Sequence, residues 1–125
     1  MEISTKTTPL KKKRNTSKAR IRVYEQGVSF SLGAINLLGL DADNPENNPR
    51  FVFDIMGKSG KMVMDQKKGF QPSFKKPGTF MIYGRYILQM FCTATGKKTK
   101  WMIFDIGDFS DGGWTLVLRD IGPEV

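Results

Sequence analysis

Apolar residues in this chain come in short runs, mostly alternating with polar ones, and glycine or proline cuts each run before it grows long. Ile21 and Val23 lead to Gln26-Gly27, and Val28 and Phe30 follow. Phe51, Phe53 and Ile55 run into a turn at Lys58-Ser59-Gly60. Alternation with a period of two puts every second side chain on one face of a strand, so these runs read as half-buried β-strands. The 13 glycines and 6 prolines among 125 residues leave no stretch near the ~20 apolar residues that cross a bilayer as a helix. A 14.1 kDa chain that is 39% hydrophobic and 26% charged can build a core, as one compact domain or a domain with a tail.

Two segments depart from strand periodicity. Ser31 is placed to cap a short helix over 32–38, with Leu32, Ile35 and Leu38 on one face and Gly39 as its left-handed stop. Residues 85–94 carry Ile87, Met90, Phe91 and Ala94 at helical spacing and predict a second helix. Residues 41–49 (DADNPENNP) read as an acidic loop, and 67–78 (KKGFQPSFKKPG) as neither strand nor helix. Strands are expected over 61–65, 79–83, 99–106 and 114–120, the last two joined across DFSDGG. The total is about seven strands and two short helices, and no fixed-period repeat is visible. The expected class is α+β: a mostly antiparallel β-sheet or partial barrel, preceded by a disordered basic N-terminal arm. The arm is placed at 1–18 and a single β-rich domain at 19–125, with 67–125 as its second β/α half.

Charge is distributed as unevenly as hydrophobicity. Residues 1–22 hold eight basic side chains against Glu2 alone, which is +7 of the formal +8. A second block, the 35 positions from Gln66 to Lys100, carries eight basic residues and no acid. Segregation of this kind matches a polyanionic partner, because clustered lysine and arginine release counterions from phosphates without reading sequence. The first block supplies Lys11, Lys12, Lys13, Arg14, Lys18, Arg20 and Arg22 as candidate contacts. The second supplies Lys67, Lys68, Lys75, Lys76, Arg85, Lys97, Lys98 and Lys100. Phe70 and Phe74 each lie two residues from a lysine pair, the pattern that stacks bases between phosphate contacts. The competing reading tucks both rings inward as loop anchors.

Catalytic equipment is sparse. With no histidine and one cysteine, Ser-His-Asp and Cys-His catalysis, histidine-ligated metals and a disulfide framework are ruled out. The acidic sets Asp105, Asp108, Asp111 and Asp41, Asp43, Glu46 do not match a twelve-residue calcium loop and read as turn residues. The GKSG at 57–60 lacks the upstream glycine of a phosphate loop and opens a hairpin. Cys92 falls on the expected buried helix face. No catalytic residue, metal site or cofactor is assigned.

Residues 19–66, with ARIRVYEQG, VSFS and LGAINLLGL, then RFVFDI, GKSG and KMVMDQ after an acidic loop, resemble the AbrB/MazE-type swapped-hairpin DNA-binding family. The resemblance implies a strand, a glycine turn, a short strand, a capped helix and two further strands, with hairpins interleaved between two chains. It would place Arg20, Arg22 and the Gln26-Gly27 turn on a DNA-facing surface. Val28, Ser31 and Ile35 stand where that family usually has arginine, proline and arginine.

The expected function is therefore non-enzymatic DNA binding through the basic arm and the basic, aromatic loop, with transcription regulation as a role. The first alternative is binding of single-stranded DNA or RNA by stacking on loop and sheet aromatics. The second is a structural or assembly protein with a basic arm, its seven methionines suited to adaptable interfaces. The expected partners are nucleic acid, with DNA favoured over RNA, and a further copy in a homodimer or higher homo-oligomer, and no membrane. The polar, basic N-terminus predicts an intracellular protein, cytoplasmic or nucleoid-associated, that is not secreted.

Overall fold

The computed structural model describes residues 18–76 and 79–125. Among these, eight antiparallel strands form one sheet curled into a half barrel. In chain order the elements are β1 (Arg20–Tyr24), β2 (Gly27–Phe30), α1 (Leu32–Leu38), β3 (Phe51–Met56), β4 (Ser59–Met64), β5 (Ser73–Lys76), β6 (Thr79–Tyr83), α2 (Ile87–Thr95), β7 (Trp101–Ser110) and β8 (Gly113–Ile121). A single 3-10 turn spans Pro45–Asn47. The spatial order is β3-β4-β8-β7-β1-β2-β6-β5. The α+β class with a mostly antiparallel sheet is what the alternating runs predict.

The inner face of the sheet and both helices share one core. Ile21, Val23, Phe51, Met62, Met102, Phe104 and Leu116 are fully buried there, joined by Ile35 and Leu38 from α1 and by Ile87 and Phe91 from α2. Aromatic edges tie it together: Phe91 meets Phe53 and Phe104 with ring centroids 5.4 and 5.5 Å apart. Phe51 meets Trp114 at 6.1 Å.

Several details differ from the sequence expectations. The segment 67–78 contains a strand after all, because β5 is an edge strand paired on one side only, and its bulge between Phe74 and Lys76 absorbs the irregularity. The β3–β4 turn is Gly57-Lys58 rather than 58–60. Gly57 takes φ 65°, and Met56 pairs with Ser59. In the last hairpin β7 continues through Ser110. The connection is Asp111-Gly112 alone, both at positive φ (51° and 81°), the left-handed pair of a type I′ turn. In α1 the buried residues are Ala34, Ile35 and Leu38, while Leu32 is exposed. In α2 Met90 is exposed and Cys92 half-buried.

A duplication not evident in the sequence emerges from the topology. Each half runs hairpin, helix, hairpin: β1–β2, α1, β3–β4 and then β5–β6, α2, β7–β8. Exchanging the halves maps the β4–β8 and β2–β6 pairs onto themselves. The β1–β7 pair has no such counterpart, since the equivalent strands β5 and β3 are the two edges of the sheet.

Candidate nucleic-acid interface

Strand alternation builds the site. Along β1, Ile21 and Val23 enter the core, so Arg20, Arg22 and Tyr24 take the opposite face. On the neighbouring β7 the same alternation turns out Trp101, Ile103 and Asp105. The register sets Tyr24 opposite Trp101, Arg22 opposite Ile103 and Arg20 opposite Asp105. The Arg22 guanidinium lies over two rings, 5.2 Å from the Tyr24 centroid and 5.9 Å from that of Trp101. Such cation–π contacts fix a long side chain that would otherwise sweep solvent.

A groove of about 650 Å³ opens where the end of β1, the start of β7 and α2 meet. Among the described residues, Arg22, Arg85, Lys98 and Lys100 bring four cations to it, Tyr24 and Trp101 two aromatic rings, and Glu25 the one acidic side chain of its wall. Arg85 is steadied 5.8 Å over the Tyr86 ring. The approach of the 97–100 segment is held by the Thr95 hydroxyl, which accepts from the Lys97 amide, and by Cys92, whose thiol donates to the Thr99 carbonyl.

The other candidates are dispersed. Arg20 is engaged with Asp105 at 2.8 Å, and Arg119 reaches the same carboxylate at 3.2 Å. Partial burial raises the Asp105 pKa, but hydrogen bonds from Arg20 and Arg119 and their positive charges outweigh it, holding the carboxyl below the ordinary 3.8. Lys67 and Lys68 are exposed on a loop whose backbone amides both bond to Asp65. Those amide bonds, Lys68 first, lower the Asp65 pKa. Lys97 is half-buried beside the groove, and Lys18 is exposed, its carbonyl accepting from Ser31. Phe70 and Phe74 are half-exposed, one stacked on Phe53 at 6.4 Å and the other edge-on to Phe80 at 5.7 Å. Lys75 and Lys76 belong to β5, with side chains outside the described set; Lys11, Lys12, Lys13 and Arg14 lie outside the described residues.

Comparison of the chain with protein-family models, curated proteins and solved structures finds no match. Sequence reasoning found the four cations of the groove and missed Tyr24, Glu25 and Trp101. The alternation that exposes Tyr24 was visible, but its pairing with Trp101 joins positions far apart in the chain. Among the described residues no three histidine, cysteine or acidic side chains converge on a common point. No helix among them is long and apolar enough to cross a membrane.

Proposed function

We propose that this chain is a non-enzymatic DNA-binding protein that grips phosphates with the groove around Arg22 and with its basic N-terminal segment, and acts in transcription regulation. The observation that carries the reading is the convergence of Arg22, Arg85, Lys98 and Lys100 with two aromatic rings on one groove. Cations so gathered release condensed counterions when phosphate enters, which gives affinity that falls linearly with the logarithm of salt. Titrating labelled duplex and single-stranded DNA across a salt series tests it. Binding at low salt is expected, and the double variant Lys98→Ala/Lys100→Ala should lower the salt slope by about 2. Absence of affinity for both forms at low salt removes the reading.

Half-exposed Tyr24 and Trp101 favour a second reading, binding of single-stranded DNA or RNA by base stacking, worth about 1–3 kcal/mol per base. Trp101→Ala separates the two. Loss of single-strand affinity with duplex affinity retained selects stacking, and equal loss of both selects phosphate gripping. Self-association, or an assembly role, draws on exposed Met56 and Met64 and on the swapped-hairpin resemblance of residues 19–66. A concentration-independent monomer in sedimentation argues against it.

A further inference from the structure

The seam between the two sheet edges is where the internal duplication is left incomplete. On the closed side β7 pairs with β1 over five residues, Trp101–Asp105 against Tyr24–Arg20. On the open side the equivalent edge, β3, is met at one end by Phe70, which exchanges two backbone hydrogen bonds with Phe51 (2.9 and 2.7 Å), and just past its other end the Gly57 amide donates to the Ala94 carbonyl of α2 (3.0 Å), which leaves Phe53 and Ile55 between them. Outward-facing backbone groups recur at every second residue of an edge strand, so Phe53 and Ile55 present N–H and C=O in the same direction as Phe51. No strand among the described residues pairs with them there. The space beside them is a cleft of about 370 Å³ between β3 and α2, with Phe53, Ile55, Phe70, Met90 and Phe91 in its apolar wall and the opposite charges of Lys68 and Asp54 also lining it. Its wall is open to solvent at Met90 (54% exposed) and Phe70 (38% exposed).

We infer that this cleft is a strand-addition site for an extended peptide of a partner protein. The peptide would pair with Phe53 and Ile55, placing alternate apolar side chains against Met90 and Phe91 and an acidic residue beside Lys68. A row of unpaired amides and carbonyls is complemented by another polypeptide backbone, and the apolar wall supplies what the alternate side chains need. Phe70 already docks one residue in this manner, so an incoming strand continues an interface the chain itself has begun. Lys68, with exposed Lys67 next to it, sets the charge preference at that end.

The test uses the full chain and a labelled pool of hexapeptides in which valine, leucine or phenylalanine alternates with threonine or glutamate. Saturable binding by fluorescence anisotropy is expected, together with slowed amide exchange at Phe53 and Ile55. N-methylating the pairing amides of the peptides should weaken binding at least tenfold. Met90→Asp should do the same while leaving the melting temperature unchanged, since Met90 is largely exposed. The inference is overturned by no binding by the pool, by equal binding by the N-methylated pool, or by protection of Phe53 and Ile55 by oligo-dT instead of peptide. Protection that appears with protein concentration alone, alongside dimers in sedimentation, also overturns it and assigns the edge to a second copy.

Discussion

Ser31 shows how much one hydroxyl can organise. Its oxygen accepts from the Ala34 amide, which caps α1, and from the Arg20 amide at 2.9 Å, which fixes the start of β1; its proton goes to the Lys18 carbonyl. Ser31→Ala should cost about 1–2 kcal/mol in denaturant unfolding, the upper part of the range for a lost cap, because a second amide loses its partner too. Gly27 is constrained differently. At φ 134°, with its α-carbon packed on β6, any β-carbon would collide with the Ile82 carbonyl oxygen. Gly27→Ala is expected to destabilise by about 2 kcal/mol or more, read in the same assay. Asp105 supplies a pH signature. Its folded pKa is lowered, so its stabilising contribution is present above the unfolded value and is lost as pH falls through the folded one. Wild type should therefore melt above Asp105→Asn at neutral pH, by an amount worth about 1 kcal/mol or less for so exposed a cluster, and the gap should close in acid below pH 3.8.

Elements were legible wherever a local signal was enough. Gly39 at φ 66° ends α1 where the sequence puts a glycine stop, and the β1–β2 pair follows from alternation around Gly27. Edges and faces were less legible. Prolines and glycines hide β5, since an edge strand tolerates a bulge and leaves half its ladder unpaired. Met90 has the spacing of a core residue, yet α2 buries Ile87, Phe91 and Thr95 and turns Met90 towards the open seam. The rings of the basic loop split the difference between core and solvent. Phe70→Ala should therefore lower stability by about 1–2 kcal/mol, short of a full core deletion, with the loss of the Phe53 stack visible in thermal melts.

At the scale of the molecule, the described cations of the acid-free block from 66 to 100 do not share one surface. They divide between the groove, with Arg85, Lys98 and Lys100, and the seam, with Lys68. Composition shows that the charge is segregated but not where the charges meet, because the groove takes Arg22 and Tyr24 from the other half of the chain. The duplication was hidden for a related reason. The first half joins its helix to its second hairpin through the long acidic loop and the second half through five residues, so the repeat has no constant period. Its halves match in pairing, which no sequence period records.

The β1–β7 pair carries a further consequence for biogenesis. The first strand of the sheet to be made finishes at its middle, and its second neighbour is made some eighty residues later. Until β7 emerges, β1 remains half-paired with one flank open, so the nascent chain carries a temporary edge at the heart of its future fold. Closing so wide a loop late places assembly of this protein among the slow, topology-limited cases.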